Sequence, residues 1–338
     1  MDDNITSPVV LSEEVNYENS LRPTTFDDFI GQKQVKDNMN VFIQSSKMRK
    51  DILDHILLYG PPGIGKTTLA YIIGHQLGVN IKSSSGPVIE KAGDLAGILT
   101  NLEEGDILFI DEIHRIPRVV EEYLYSAMED FNIDIMLGEG PKAKSVKIPL
   151  KRFTLIGATT RIGLLTSPLR NRFGIIHRLD YYNVDELAQI IKRSSGILNI
   201  KINDEGSMEI ANRSRGTPRI SNRLLKRVRD FAIVQGETII NKQIAAFALD
   251  KMLVDSRGLD EMDKRILETI IYKFNGGPVG LKSLAIAVGE EPETIEEVYE
   301  SYLVREGFIQ KTSQGRTITK ITYQHLKIKT QEGLFSGA

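Results

Sequence analysis

Residues Gly60-Pro61-Pro62-Gly63-Ile64-Gly65-Lys66-Thr67-Thr68 set glycines, one lysine and two hydroxyls at the spacing G-x-x-x-x-G-K-[ST]. The chemistry this spacing serves is the capture of a polyphosphate. Several negative charges must be met by backbone N–H groups, and glycines let the backbone come close enough to do so. Lys66 would reach the β- and γ-phosphates and the Thr67 hydroxyl would ligate Mg²⁺. A second constellation lies downstream, Asp106-Ile-Leu-Phe-Ile-Asp111-Glu112, where four apolar residues end in two carboxylates. A buried strand of that kind delivers Asp111 to a metal ion at its carboxyl end. Glu112, one step further out, can polarise a water aimed at the γ-phosphate.

Both constellations need a particular frame. The loop must follow a strand and open a helix, so that the first N–H groups of the helix face the same anion. Ile56-Leu57-Leu58-Tyr59 before the loop reads as a short buried strand, and Thr68 to Ile73 after it as proline-free helix. Further strands are expected at Asp106–Ile110 and Phe153–Gly157, with helical stretches between, which reads as a parallel α/β sheet. Between two of these strands, Ile133, Ile135 and Leu137 alternate with polar neighbours. A Gly138–Pro141 turn follows and the alternation resumes at Val146 and Ile148, giving an inserted β-hairpin over about 131–151. Exposed apolar residues on such a hairpin suit a docking surface.

Three more clusters carry possible chemistry. Leu155-Ile-Gly-Ala-Thr159-Thr160-Arg161 is a buried strand ending in hydroxyls, either of which could hold a water or touch the γ-phosphate. Arg170 and Arg172 flank an asparagine in Ser167–Phe173. Taken by themselves they read as solvated surface arginines, although an arginine from a neighbouring subunit can neutralise transition-state charge. Between Asn212 and Arg229 stand six arginines, one lysine and no acid. Within this run Arg219, just past Pro218, lies near a helix start and could reach a bound nucleotide.

The bulk numbers are those of an ordinary globular protein. The chain has 338 residues, 41% hydrophobic and 26% charged, enough for two or three domains. A net charge of −2 rules out a uniformly basic nucleic-acid binder, so any such surface must be local. There is no cysteine, hence no disulfide and no thiolate metal site, and five scattered histidines make no zinc pattern. No signal segment or membrane-length apolar run is visible, so a cytoplasmic location is expected.

Residues 1–20 read as a polar, flexible arm and residues 21–182 as the sheet domain. Residues 183–254 are helical, with Val184, Leu187, Ile190 and Ile191, then Leu224, Leu225, Val228, Phe231 and Ala232, at helical spacing. Residues 255–338 read as helices at Asp263–Phe274, Val279–Gly289 and Thr294–Glu306, followed by a hairpin that turns at Ser313–Arg316. Three helices and a hairpin describe a winged helix. Its third helix carries Glu293, Glu296, Glu297 and Glu300, whereas Arg305 to Lys329 holds six basic residues against one acid. Phosphates would therefore meet the wing rather than the third helix, favouring sequence-independent backbone contact over base readout.

Taken together, these segments resemble the AAA+ ATPases and, more closely, the RuvB motors of Holliday-junction branch migration. The resemblance is carried by Leu21-Arg22-Pro23, Ile30-Gly31-Gln32, the phosphate loop, Asp111–Arg115, Gly157–Arg161, Ser167–Phe173, Gly216–Ile220 and Gly307–Arg316. It covers about Leu21 to Tyr323. It implies an AAA+ P-loop sheet domain, a small helical lid domain and a winged-helix domain. It also implies ATP and Mg²⁺ as cofactors and a hexameric ring on duplex DNA at four-way junctions. A RuvA-like junction-binding partner would dock on the hairpin, and a RuvC-like resolvase would act nearby.

On the same resemblance, Leu21, Arg22 and Ile30 would line an adenine pocket, with Tyr182 at the domain junction. Gly63, Ile64, Gly65, Lys66, Thr67 and Thr68 would hold phosphates, with Thr67 and Asp111 on the metal ion. Glu112 would serve the attacking water, Thr159 or Thr160 would be the first sensor and Arg219 the second. Arg172 would be a finger acting in trans, with Arg170 beside it, and Glu129, Asp130 and Phe131 would contribute to the nucleotide site. Lys311 and Arg316 would touch DNA. Position 311 departs from the pattern, because wings of this kind often carry arginine there and lysine lacks the guanidinium fork.

Overall fold

The computed structural model describes Thr6, Glu18, residues 20–137 and residues 144–328. These divide into two compact units, one ending at Glu186 and one running from Leu187 onward, to which Thr6 also belongs.

The first unit is built on five parallel strands: β1 (Ile56–Tyr59), β2 (Ile81–Ser85), β3 (Ile107–Asp111), β6 (Thr154–Thr159) and β7 (Ile175–Arg178), in the order β2-β3-β6-β1-β7. Strands β1, β3 and β6 are apolar almost throughout because both faces are covered: Ile56, Leu57, Leu58, Ile107, Leu108 and Ile156 are fully buried. The register sets Tyr59 beside Thr159, Ile110 beside Gly157 and Asp111 beside Ser85, so the expected functional residues share the carboxyl edge of the sheet. Helices α1 (Lys33–Arg49), α2 (Lys66–Leu77), α3 (Ala92–Leu99), α4 (Arg118–Glu129) and the short α5 (Ser167–Asn171) complete the unit. Helices α3 and α4 bury Leu95, Leu99, Leu124 and Ala127 in one core with Leu108, Ile110, Phe153 and Phe173.

Strands β2 and β7 are not expected from sequence. β2 reads Ile-Lys-Ser-Ser-Ser, an edge strand whose residues are only partly covered, so no apolar run marks it. β7 is four residues long and closes the other edge against β1. The inserted hairpin is present as β4 (Asn132–Leu137) and β5 (Lys144–Pro149), antiparallel from Asn132 opposite Pro149 to Leu137 opposite Lys144. Its Gly138–Pro141 turn lies outside the described residues. At its base, Ile133 is buried and Ile148 packs on the core of the same domain, while Val146 is exposed.

The second unit holds four helices, then a winged helix. The four are α6 (Val184–Ile197, which starts in the first unit), α7 (Asp204–Asn212), α8 (Pro218–Val234) and α9 (Lys242–Lys251). Asn203 and Asn241 cap α7 and α9, accepting from the N–H of Gly206 and Ile244. The winged part begins with α10 (Glu261–Lys273), started by an Asp260–Asp263 capping box, and continues with α11 (Leu281–Val288). A third helix, α12, runs on from Pro292 to Arg305 and is π-helical over Ile295–Glu300. Strands β8 (Ile309–Thr312) and β9 (Gly315–Ile318) form the wing, and Val279 bridges to Arg316 as a third rung. A final helix, α13 (Lys320–His325), follows. Ile266, Ile270, Leu284, Leu303 and Phe308 fill the core of this domain.

Candidate ATPase site

The phosphate loop leaves β1 at Gly60, whose φ of 145° and surroundings admit no side chain: a Cβ there would lie 2.2 Å from the Leu179 carbonyl oxygen. Gly65 then caps α2 without any side-chain acceptor, so the first N–H groups of that helix stay available to an anion. Lys66 is buried, and its ammonium donates to the carbonyls of Gly60 at 2.8 Å and Pro61 at 2.9 Å. These bonds hold the charge over the loop. Ile64 is fully buried and anchors the loop from below.

The hydroxyl of Thr67 donates to Asp111 Oδ2 at 3.2 Å. This joins the loop to the end of β3 and sets two hard oxygen donors side by side. The other Asp111 oxygen accepts from the Glu112 N–H at 2.9 Å. Glu112 has φ 45°, a left-handed conformation uncommon outside glycine, which turns its carboxylate off the line of the strand. That carboxylate is then gripped by the strand beside it. Thr160 donates to Glu112 Oε2 from its hydroxyl at 3.1 Å and from its backbone N–H at 3.3 Å. His114 Nδ1 lies 3.2 Å from the same oxygen and 2.9 Å from Thr159 Oγ1.

The two threonines are thereby told apart. Thr160 touches the acid directly, whereas Thr159 is fully buried, with its hydroxyl at His114 and accepting from the Arg161 N–H at 3.0 Å. His114 lies inside the Asp111–Arg115 segment, yet residue types alone assign it no role. Its signal is its position: two residues after Glu112, it can reach back to the end of the neighbouring strand.

Behind the loop, Leu21 is buried and Arg22 sits 5.9 Å from the ring centroid of Tyr71. Ile30 is half-buried. Tyr182 donates to the Ile64 carbonyl at 3.1 Å, and burial raises its phenol well above the ordinary value. The Tyr182 ring leaves no room for a side chain at Gly31, where a Cβ would stand 2.6 Å from it. Gln32 closes the same corner, donating to the Asp180 carbonyl at 2.6 Å and accepting from the Asp180 N–H at 3.2 Å.

The arginine segment is arranged otherwise. Arg172 donates to Glu129 at 3.1 Å and to the Pro168 carbonyl at 2.9 Å, and lies 4.3 Å from the Tyr125 ring centroid. None of these partners belongs to the phosphate loop or to the two acids. Arg170 is half-buried on α5, and Asp130 is exposed at the end of α4. Phe131 lies at the start of the hairpin. Its ring packs against His55 and Phe153 at centroid distances of 6.4 and 5.9 Å, so in this subunit it is part of an aromatic cluster.

Arg219 lies in the second unit, one residue after the Pro218 that opens α8, and is half-buried. In the wing, Lys311 is half-exposed and ion-paired with Glu296 at 3.2 Å and Glu300 at 3.1 Å. Its bond to Glu300 lifts the ammonium above the ordinary lysine value. Arg316 is held more tightly than Lys311. It is 8% exposed, with Nε at 3.0 Å and Nη2 at 2.7 Å from the Glu300 carboxylate, and so serves here to fasten the wing to α12.

Three family descriptions match consecutive parts of the chain. They are the Holliday junction DNA helicase RuvB P-loop domain over residues 21–179, the RuvB AAA lid domain over 182–255 and the RuvB C-terminal winged helix domain over 256–327. The chain belongs to the RuvB family. It is 60% identical over 326 residues to the Holliday junction branch migration complex subunit RuvB of Flavobacterium psychrophilum, with 96% of each chain covered. Among solved structures, the Thermotoga maritima RuvB Holliday junction branch migration motor is similar, with a TM-score of 0.84 at 51% identity. That match covers 92% of this chain and 99% of the other. The RuvB assignment fits the site, with the P-loop and both acids on one sheet edge and a lid and winged helix after it.

The residues that sequence reasoning passes over are therefore His114, Phe29 and Gln32. Phe29 would meet any side chain placed at Gly65, where a Cβ would stand 3.1 Å from its ring. Nothing in the types of Phe29 or Gln32 marks them as part of a site, because their positions depend on packing between distant segments.

Proposed function

We propose that the protein is an ATP-driven motor that migrates Holliday junctions and that the site at the carboxyl edge of the sheet powers it. The observation that carries this reading is the placement of Glu112. Its carboxylate is held by Thr160, one residue beyond the Asp111 that bonds to Thr67 of the phosphate loop. Lys66 and the first N–H groups of α2 suit the phosphates. The oxygens of Thr67 and Asp111 are hard donors of the kind Mg²⁺ takes when it also keeps waters and phosphate oxygens. When bound there, Mg²⁺ would neutralise charge on the phosphoryl oxygens. Glu112 would orient a water in line with the γ-phosphate and accept its proton, while Thr160 and His114 fix the carboxylate.

Assembly follows from Arg172. None of its partners, Glu129, Pro168 and Tyr125, belongs to the phosphate loop or the two acids, which supports its use by a neighbouring subunit in a hexameric ring, with Glu129 and Arg170 beside it. Arg219 would read the nucleotide from the lid. The hairpin, with Val146 exposed, would receive a RuvA-like partner. Lys311 and Arg316 would be the wing's contacts with the DNA backbone, with Glu300 fastening Arg316 to α12.

Glu112→Gln tests the reading. The variant should bind ATP as the parent does and release little phosphate; parent-like turnover would remove Glu112 from the role. Subunit mixing tests the ring: inactive Arg172→Ala and Lys66→Ala subunits should regain turnover together, and absence of rescue would count against a trans finger.

A further inference from the structure

The turn that presents Arg219 is tied to the winged helix by a residue the ATPase site does not use. Arg215 is 4% exposed and sits at φ 52°, followed by Gly216 at φ 74° and then by the Thr217-Pro218-Arg219 start of α8. Its side chain leaves the lid altogether. Arg215 donates from Nε to the Gly258 carbonyl at 2.7 Å, from Nη2 to Asp260 at 3.1 Å and, closer still, to Asp263. Asp260 and Asp263 are the capping box of α10, the first helix of the winged domain. The guanidinium also lies 4.8 Å from the ring centroid of Tyr302 on α12, and Arg305 donates to the Arg215 carbonyl at 3.2 Å. The hydroxyl of Thr6 reaches the same Asp260.

A buried ion cluster is a poor device for stability, because desolvation offsets most of its attraction. Here Nη1 of Arg215 and Oδ1 of Asp263 find no partner among the described residues, so the cluster is not even fully satisfied. In some systems such a cluster instead fixes one relative placement of the elements that supply its charges. Those elements are the lid turn that carries Arg219 and the first helix of the DNA-side domain. Lid and winged helix also fall within one compact unit.

We propose that Arg215 is the positioning residue that transmits lid movement to the winged domain, so that lid and winged helix travel as one body. It stands four positions before Arg219 in the chain. A displacement imposed at the nucleotide-reading turn is therefore delivered to α10 through the Arg215 side chain. The proposal rests on the motor reading above, and its test has an arm that does not.

That arm uses the absence of cysteine from the chain. Cysteines placed at the exposed positions Ile233 on α8 and Ile286 on α11 can carry spin labels in the full-length protein. With Arg215 intact, the label-to-label distance should show one narrow distribution that is unchanged between nucleotide-free protein and protein with a non-hydrolysable ATP analogue. A broad distribution, or a mean that moves with nucleotide, overturns the proposal whether or not the protein moves junctions.

The second arm is Arg215→Lys, which keeps the charge and loses the fork. It should broaden the distribution, keep ATP turnover within about twofold, and raise the ATP consumed per base pair of branch migration by about tenfold or more. If turnover and migration fall in proportion, or neither changes, Arg215 is merely structural. If the lysine variant does not fold, the labelled parent protein still decides the matter.

Discussion

Replacing Thr160 with valine removes one hydroxyl and keeps the shape of the side chain. The hydroxyl donates to Glu112 Oε2 at 3.1 Å, and the backbone N–H of the same residue, which the substitution keeps, donates at 3.3 Å. A hydrogen bond to an ionised group is worth about 1.5–3 kcal/mol. If all of it served to aim Glu112, turnover would fall by roughly 12- to 140-fold, at about 1.4 kcal/mol per tenfold. The retained N–H bond places the expectation near the low end, about tenfold. ATP affinity should not change, because Lys66 and the loop are untouched. Steady-state phosphate release over a range of ATP concentrations would separate the two quantities. Thr160→Ser, which restores the hydroxyl, should recover most of the turnover. A Thr160→Val protein within twofold of its parent, or one whose defect lies in KM and is not relieved by serine, would refute the assignment of Thr160 as the residue that holds the acid.

Other expectations follow from the same structure. Gly31→Ala would force a Cβ to 2.6 Å from the Tyr182 ring at φ 76°, and urea unfolding should show a loss of about 1–3 kcal/mol. Arg316→Ala would leave the buried Glu300 with the half-exposed Lys311 still beside it, so the unfolding of the full chain should show a loss no greater than about 3 kcal/mol. Lys311→Ala should cost under about 1 kcal/mol and instead lower the salt slope of DNA binding by about one. Burial pushes the Asp263 carboxyl up to about 8 from 3.8 despite Arg215 beside it. The folded state therefore holds one more proton than the unfolded state between those values. Stability from this group is full below pH 3.8 and is lost as pH rises to about 8, at up to about 1.4 kcal/mol per pH unit. Asp263→Asn should remove that slope, read by urea unfolding between about pH 6 and 8; a slope equal to the parent's would contradict it.

Much of this fold can be read from sequence because burial on two faces leaves an unbroken apolar run. Ile56–Tyr59 is the observed β1, and the runs before Asp111 and Thr159 are β3 and β6, each shifted by a residue or two at the ends. The edge strands β2 and β7 escape because their pairing needs no such run. The winged helix is legible from helix spacing and the Gly315 turn. The ligand-facing site is legible where one residue type serves one chemistry, as with Lys66, Thr67, Asp111 and Glu112. Where a residue's role depends on what packs beside it, residue type says little. His114, Arg215 and the burial of Arg316 under Glu300 each depend on partners from distant segments. Charge and resemblance mark Arg316 for DNA, and neither reveals its bonds to Glu300.

The most direct test of the central claim is branch migration of a synthetic four-way junction by the full-length protein with a RuvA-like partner, ATP and Mg²⁺. The parent protein should dissociate the junction in proportion to ATP consumed, and Glu112→Gln should bind it without moving it. A parent protein that hydrolyses ATP yet moves no junction under these conditions would contradict the account, as would a Glu112→Gln protein that moves the junction at the parental rate.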